Sequence, residues 1–183
     1  MPILETERLL LRDVVLSDWD ALNAFLSDSA VTRFMHFARL REGKWREWLT
    51  WLAQEASNPH RDAYDWAITL RSNGLLIGWL ILGRSRYATE ERMHECGCGY
   101  ALNQHYWGQG YMPEALRVVF TYEFTILGTH RIIAECETEN FASARVMQKC
   151  GMAYEGTCYD ADFEGNWANR YRYSITSQAG ETL

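Results

Sequence analysis

The chain has 183 residues, of which 48% are hydrophobic and 23% are charged, and its formal net charge at pH 7 is −6. This length favours one domain, 1–183, that buries about 70% of the surface of the unfolded chain, and the composition excludes a disordered polymer. Without an apolar run of about 20 residues, a dense Lys/Arg cluster or a leader pattern, we expect a cytoplasmic protein that binds neither membrane nor nucleic acid.

The first half of the chain has the pattern of a strand, two helices and a hairpin. A strand is predicted over Leu4–Val14, and Ser17 with Asp20 three residues later resembles a capping box that begins a helix ending at Leu26. Apolar periodicity predicts a second helix over about Arg41–Ala56. Two further strands follow at Tyr64–Leu70 and Leu75–Leu82, and residues 72–74 form the predicted turn between them.

The second half alternates strands and helices, which favours a mixed α/β fold with a parallel strand pair. The predicted elements after the hairpin are a strand Glu95–Leu102, a helix announced by Pro113 and ended by Gly128, a strand Arg131–Thr138, a helix Asn140–Lys149, and strands Ala153–Tyr159 and Trp167–Ile175 joined at 164–166.

A glycine-containing loop between a strand and a helix is the strongest functional signal. Residues 99–115 read GYALNQHYWGQGYMPEA, with Gly108 and Gly110 just before the helix that contains Pro113. Closely spaced glycines allow a tight turn, and the free N–H groups and positive dipole at a helix start attract phosphate. The loop could therefore hold a pyrophosphate, although glycine pairs also occur in ordinary turns.

Two familiar phosphate-binding motifs are excluded by the spacing of the glycines. Pro113 stands where the third glycine of a dinucleotide-binding motif would follow Gly108 and Gly110, and Leu102 fails in the same way after Gly97 and Gly99. The string G-x-x-x-x-G-K-[ST] does not occur in the chain. A Rossmann dinucleotide site and a P-loop are therefore not expected.

The same loop resembles the acetyl-CoA loop of the GNAT N-acetyltransferase superfamily, most closely its Rim-type branch of ribosomal-protein N-terminal acetyltransferases. The matching string is Trp107–Tyr111, WGQGY, followed by Glu114 and Ala115. An opening segment, Leu4–Arg12, and a later N-x-x-S…K-x-G segment beginning at Asn140 match in the same order. The resemblance implies a GNAT acyl-CoA N-acyltransferase fold, in which helices flank a central mixed sheet whose parallel strands splay apart.

The resemblance also implies which residues bind acetyl-CoA. The pantetheine is expected to pair with strand backbone, while backbone donors of the loop hold the diphosphate. The residues assigned to acetyl-CoA are Tyr100, Ala101, Leu102, His105, Trp107, Gly108, Gln109, Gly110, Tyr111, Asn140, Ser143 and Lys149. His105 departs from the Gln or Arg common in the family. Asn140 and Ser143 could instead only cap a helix, and Lys149 or Arg145 could meet the 3′-phosphate or only favour the helix end.

The resemblance also implies candidate catalytic residues. Many relatives carry a tyrosine acid where this chain has Met147, so Ser143 becomes the candidate that stabilises or protonates the departing thiolate. Asp162, slightly favoured, and Glu95 are the candidate bases for the ammonium proton, and either could be a surface charge. Met147 also motivates a non-catalytic acyl-CoA-binding alternative.

The expected activity is direct transfer of acetyl from acetyl-CoA to a primary amine in a ternary complex. The branch suggests a protein N-terminal α-amine, with a small amine such as a polyamine, amino acid or aminoglycoside-like compound as the alternative. Family relatives are often dimers, which leaves a homodimer open. Tryptophans at three-residue spacing form either core or dimer contacts or an acceptor-site wall: Trp45, Trp48 and Trp51.

The cysteines give no sign of a metal site or of disulfides. Five are present, an odd number in a chain without a secretion signal, so free buried thiols are expected. Cys96 and Cys98 near His94 have C-x-C spacing inside a predicted strand, which differs from the C-x-x-C turns of zinc sites. We therefore expect no metal.

Overall fold

An eight-stranded mixed sheet organises the computed structural model, which describes residues 2–35, 42–56, 58, 61, 63–84, 94–161, 165 and 167–180. The strand order across the sheet is β1-β2-β3-β4-β5-β6-β8-β7. The strands are β1 (Leu4–Glu5), β2 (Leu9–Asp13), β3 (Ala63–Leu70), β4 (Leu76–Arg84), β5 (Glu95–Leu102), β6 (Arg131–Glu137), β7 (Ala153–Ala161) and β8 (Trp167–Thr176).

Six helices accompany these strands in the described ranges. They are α1 (Trp19–Leu26), α2 (Ser29–Thr32), α3 (Glu42–Glu55), α4 (Tyr111–Thr125), α5 (Phe141–Lys149) and α6 (Ser177–Gly180). Short 3₁₀ turns precede α1 and α4. Of the helices described here, none is long and apolar enough to cross a membrane. The predicted mixed α/β class is confirmed, and the short helices α2 and α6 are additional to the predicted elements.

The chain divides into two compact units. The first contains Met1–Ile81 and Tyr100–Tyr111, and the second contains Leu82–Gly99 and Met112–Leu183. In the first unit, β1, β2 and β3 pair in antiparallel fashion, and helices α1 and α3 bury their apolar faces. The core residues that these elements share include Leu22, Phe25, Leu49, Leu52, Ala67 and Trp79.

The second unit contains the predicted parallel pair. β5 and β6 are parallel from Glu95 opposite Arg131 to Cys98 opposite Ala134, and both strands continue beyond this register. β8 pairs in antiparallel fashion with β6 on one side and β7 on the other. Helix α4 buries Leu116, Val119 and Phe120, three of the apolar side chains that its periodicity provides.

The prediction of one opening strand is wrong, because the segment forms the hairpin β1–β2. The Thr6 hydroxyl accepts a hydrogen bond from the Leu9 N–H at 2.9 Å, and the Thr6 N–H donates to the Leu9 carbonyl at 3.0 Å. These local bonds turn the backbone between Leu4–Glu5 and the longer strand. A threonine side chain therefore makes a turn that no glycine or proline announces.

The predicted capping box is also wrong. Asp18 rather than Ser17 is the N-cap residue of α1, and its side chain makes no capping bond to that helix. The Asp18 carboxylate instead accepts from the Val15 N–H at 2.9 Å across the preceding 3₁₀ turn and forms a two-pronged ion pair with Arg12 at 2.7 Å. Asp18 is buried, with 6% of its surface exposed. A charged carboxylate held by an arginine is the stronger acceptor, and the end of the helix at Leu26 is confirmed.

Candidate active site

The glycine loop of the first unit has the backbone that anion binding requires. Gly108 and Gly110 have φ values of 74° and 82°, a left-handed region that other residues adopt at a cost. A Cβ built on Gly108 meets nothing within 4 Å, so the loop surface is open there. Helix α4 begins at Tyr111, directly after the second glycine. Its uncovered N–H groups and dipole can accept a diphosphate.

Side chains of the loop hold its shape. The Asn103 carboxamide accepts from the His105 N–H at 3.0 Å, and Gln109 Nε2 donates to the His105 carbonyl at 3.0 Å. The indole of Trp107 donates to the Leu102 carbonyl at 2.7 Å, while almost half of its surface stays exposed. His105, Trp107 and Gln109 were assigned to acetyl-CoA, and here they also fix the loop, which pre-organises its backbone donors.

A cation beside the loop, Arg8, was missed as a binding residue. Its guanidinium donates to the Gln109 carbonyl at 3.0 Å and stacks over the Tyr111 ring at 4.2 Å. One terminal nitrogen, Nη2, lies 3.6 Å from where a Cβ on Gly110 would be. Arg8 comes 101 residues earlier in the sequence than Gln109, so only the opening Leu4–Arg12 match could have suggested its role.

The strand end that leads into the loop is closely packed. Ala101 is buried, whereas Tyr100 and Leu102 are half-buried. A Cβ on Gly78 of β4 would lie 2.8 Å from the Ala101 carbonyl oxygen, so glycine is needed for this close approach. The next residue, Asn103, donates its N–H to the Ile77 carbonyl at 2.8 Å, which fixes the chain as it leaves β5.

Asn140 and Ser143 lie together at the start of α5 in the second unit. The Asn140 side chain accepts from the Ser143 N–H at 3.1 Å, so the capping role weighed for this pair is present. The cap uses the backbone of Ser143, and the Ser143 hydroxyl hydrogen-bonds the Cys136 thiol. Cys136 Sγ also contacts the Asn140 carbonyl at 3.8 Å. The serine side chain is therefore oriented by β6 and by its own helix.

The other candidates on α5 divide between the buried and exposed faces. Met147 is fully buried, so the position that many family members fill with a tyrosine acid points into the core of this unit. Lys149 and Arg145 are exposed. The Lys149 carbonyl accepts a hydrogen bond from the Arg117 guanidinium. Both cations are available to an anionic ligand, and Lys149 lies in the last turn, where the helix dipole favours it.

Of the two candidate bases, only Glu95 lies among the described residues. Glu95 is 8% exposed, and its Oε2 lies 3.2 Å from Arg131 Nη1. Arg131 also binds Glu155 at 2.5 Å, so Glu95 belongs to an ion-pair group at the start of β5 and β6. Such a pairing favours a structural role. Asp162 lies outside the described residues.

The interior of the second unit contains an acid and several thiols whose pKa values are raised by burial. Burial raises the pKa of Glu123, against the opposing effect of hydrogen bonds from Thr129 and Cys96. Burial also raises the pKa of Cys96 and Cys136 to about 11 and that of Cys150 to about 12. Nucleophilic cysteine chemistry needs a lowered pKa, so these thiols are inert.

The described residues provide no group of three or more His, Cys, Asp or Glu side chains that could hold a metal ion. His94 and His130 meet edge to face with ring centroids 5.1 Å apart. Cys96 contacts Glu123 and Thr129 instead of a second thiol. The candidate groups described above are backbone N–H groups, a serine hydroxyl, carboxylates and arginines.

A family model described as an acetyltransferase (GNAT) domain matches residues 8–153 of the chain. This range includes β2, the loop with Gly108 and Gly110, and the segment with Asn140 and Ser143. It therefore covers both groups of residues described above.

Individual proteins agree with the family match. An uncharacterized N-acetyltransferase, YnaD, from Bacillus subtilis (strain 168) is 32% identical over 174 residues, which cover 94% of this chain and 96% of YnaD. The [ribosomal protein uS5]-alanine N-acetyltransferase of Escherichia coli (strain K12) is 28% identical over 102 residues, 53% of this chain and 52% of that protein. The crystal structure of a GNAT-family acetyltransferase from Bacillus anthracis superposes with a TM-score of 0.80 at 28% identity, covering 97% of this chain and 99% of the other.

Proposed function

The chain belongs to the GNAT family of acetyltransferases, and from this premise we propose that it acetylates a protein N-terminal α-amine by direct transfer from acetyl-CoA. GNAT acetyltransferases use acetyl-CoA as the acetyl donor. In the transfer, the amine nitrogen forms a bond to the acetyl carbon while the carbon–sulfur bond breaks. The ammonium proton passes to a base, and the departing thiolate is stabilised or protonated.

The observation that carries the donor assignment is the open glycine loop at the start of α4. Gly108, Gly110 and the first turn of the helix provide backbone N–H groups, and Arg8 provides a positive charge. Both kinds of group bind a diphosphate, and hydrogen bonds from a charged donor are about twice as strong as neutral ones. The residues present therefore fit the diphosphate of acetyl-CoA.

Ser143 is the residue that we propose acts on the departing thiolate. Its hydroxyl hydrogen-bonds the Cys136 thiol, which orients the side chain. A serine hydroxyl has a high intrinsic pKa, so donation of a hydrogen bond to the thiolate is the alternative to full proton transfer. Met147 has no acidic proton and its side chain is fully buried, so it cannot take this role.

For the ammonium proton we propose Asp162, acting through a water molecule. The alternative, Glu95, is paired with Arg131 at 3.2 Å. An N-terminal α-amine has a pKa of about 8, against about 10.4 for a lysine side chain, so a carboxylate-bound water is a strong enough acceptor for it near neutral pH. This difference favours an α-amine over a lysine side chain.

The acceptor class is supported by resemblance and by charge. The Escherichia coli relative is named for an alanine of ribosomal protein uS5, and the net charge of −6 suits a basic peptide. A small amine is the second candidate, and an acidic pocket near the end of α3 favours it.

The experiment is an acetyl-transfer assay with mass spectrometry against N-terminal peptides, polyamines, amino acids and aminoglycosides. Mass spectrometry avoids the thiol dye that five cysteines would confuse. We expect the highest kcat/KM with a basic peptide that begins with a small residue. Faster turnover of a polyamine than of any peptide would identify a small amine as the acceptor. Binding of acetyl-CoA with no acetylated product from any class would contradict both proposed acceptor classes.

A further inference from the structure

A pocket of about 170 Å³ opens in the first unit, between the end of β2, the C-terminal part of α3 and the start of β3. We call it the acidic pocket. The residues that define it are Asp13, Trp51, Leu52, Glu55, Arg61 and Asp65. It suits a short chain, because pockets for drug-sized ligands start at about 300 Å³.

Asp65 is the buried polar group of this pocket. It is 7% exposed, and its Oδ1 accepts a hydrogen bond from the Trp79 indole at 2.8 Å. Within the part of the chain that the structure describes, no donor hydrogen-bonds its second oxygen, Oδ2. Because Asp65 also lines the pocket, a ligand there with an N–H donor could hydrogen-bond this oxygen.

The charges around the acidic pocket leave a negative excess. Arg61 Nη1 binds Asp13 Oδ1 at 2.9 Å, and the same guanidinium donates to the Ala56 carbonyl and stacks over Tyr64. The same arginine also acts electrostatically on Asp65. The described pocket wall therefore sets three carboxylates, those of Asp13, Glu55 and Asp65, against one guanidinium, and this negative excess favours a cation over an anion as ligand.

The rest of the wall suits an aliphatic stem. Trp51 lines the pocket with half of its surface exposed, and an indole face attracts cations. Leu52 and Val14 provide buried apolar surface beside it. An alkyl chain can cover this surface while its charged end meets a carboxylate, as lysine side chains do.

We propose that the acidic pocket binds a primary ammonium group carried on a short aliphatic chain, with Asp65 as its counter-ion. The ammonium can belong to the acceptor substrate or to a separate effector, and the chemistry of recognition is the same for both. The inference rests on the pocket alone and stands whether or not the proposed acceptor is correct.

The pocket predicts a dependence of binding on pH. The charged groups that face Asp65 are Asp13 on β2, Arg61 before β3 and Glu55 on α3, while Trp79 on β4 is neutral. Burial raises the pKa of Asp65 to about 7. The negative charge of Asp13 adds to this rise, whereas the hydrogen bond from Trp79 and the positive charge of Arg61 oppose it. An alkylammonium stays charged up to about pH 10, so its affinity should rise up to about tenfold between about pH 6 and about pH 8 as Asp65 ionises.

The test is a titration of butylamine, with butanol as the neutral control, followed by NMR of ¹⁵N-labelled protein without acetyl-CoA. The Trp79 indole N–H signal is the reporter because it donates to Asp65. We expect saturable shifts with a dissociation constant of about 1 mM near pH 8 and weaker binding near pH 6. Butanol should cause no such shifts.

Two variants and two controls identify the site. Asp65→Asn keeps an acceptor for Trp79 and should weaken butylamine binding about tenfold or more while removing its pH dependence. Trp51→Ala, at a half-exposed position, should weaken it a few-fold and serves if Asp65→Asn does not fold. Asp20→Asn on α1 and Glu47→Gln on α3 are exposed carboxylates outside the pocket and should change nothing.

The proposal is overturned if butylamine gives no saturable shift, if butanol binds equally well, or if both pocket variants bind butylamine as the unaltered protein does. Inhibition of acetyl transfer by butylamine, in competition with the acceptor, would identify the ligand as the acceptor. Binding without competition would identify a separate effector, and both outcomes support an ammonium site. The NMR titration needs no turnover. A negative titration would therefore contradict the ammonium site alone, whereas a negative acetyl-transfer assay would contradict the proposed acceptors.

Discussion

Ser143 is held by its backbone at a helix N-cap, while its side chain contacts a cysteine sulfur. Ser143→Ala keeps the backbone N–H that Asn140 accepts from, so α5 should fold normally. Loss of a hydrogen bond to a charged thiolate, worth about 1.5–3 kcal/mol, should lower kcat about 10-fold to 100-fold. The KM for acetyl-CoA should change little. Ser143→Thr, which keeps a hydroxyl, should retain more activity, and an unchanged kcat in Ser143→Ala would remove the proposed role.

Two glycines of the first unit form a matched pair for testing the loop. Gly108 and Gly74 have φ values of 74° and 73°, and a Cβ on either meets nothing within 4 Å. Replacement of either by alanine should therefore cost about 1–2 kcal/mol of stability for the left-handed backbone. Only Gly108→Ala should also raise the Kd for acetyl-CoA, because only it displaces the loop N–H groups. Equal Kd values for the two variants, measured by calorimetry, would argue against the loop as the diphosphate site.

The candidate carboxylates can be separated by pH. Asp162→Asn should lower kcat near pH 7 and regain activity as the pH rises past about 8, where an α-amine loses its proton to solvent. Glu95→Gln breaks the pair with Arg131, so its main effect should be on stability, up to about 1 kcal/mol. Rate profiles between about pH 6 and pH 9 and urea unfolding give the comparison. A larger loss of kcat in Glu95→Gln than in Asp162→Asn would reverse the assignment.

Helix α4 buries an acid on a face that is otherwise apolar. Glu123 is 1% exposed, Thr129 donates to its Oε2 at 2.8 Å, and its Oε1 has no hydrogen-bond partner among the described groups. Because burial raises the pKa of Glu123 in the folded protein, its protonated form is favoured by folding. The resulting stability is fully present below the unfolded pKa, about 4.3 for a glutamate, and is lost as the pH rises through the folded value.

Glu123→Gln should therefore become more stable relative to the unaltered protein as the pH rises above about 4.3. The glutamine keeps an oxygen for the Thr129 hydroxyl and never ionises. Urea midpoints at a series of pH values measure the difference, and Glu139→Gln, at an exposed position, is the control. A difference between Glu123→Gln and the unaltered protein that stays constant with pH would contradict a raised pKa of Glu123 in the folded protein.

Elements with a strong local pattern could be predicted from the sequence. The bounds of β5 match the predicted Glu95–Leu102, and α5 begins after Asn140 and ends at Lys149 as predicted. The two wrong predictions concern places where a polar side chain, and no glycine or proline, determines the local backbone. Thr6 makes the turn between β1 and β2, and buried Asp18 takes the place of the predicted Ser17 cap. Both residues act through hydrogen bonds that periodicity does not encode.

At the scale of the molecule, the sequence predicts the family and the loop but not the groups that complete them. Arg8 meets Gln109 and Asp65 meets Trp79 across different strands and loops, so neither pair follows from local spacing. The capping of α5 by Asn140 was weighed against a binding role and is observed. Long-range pairs of this kind depend on the packing of the sheet, which one sequence does not specify in detail.

Acetyl transfer in one direct step is the central claim at this scale. The buried thiols of Cys96, Cys136 and Cys150 have raised pKa values, so they offer no activated nucleophile for an acetyl-enzyme. In the proposed direct transfer, the amine meets acetyl-CoA while both are bound. The first measurement is therefore the initial rate of acetyl transfer with acetyl-CoA and the best acceptor varied together. Direct transfer predicts double-reciprocal lines that intersect. Parallel lines, together with an acetylated enzyme detected by mass spectrometry in the absence of acceptor, would contradict direct transfer.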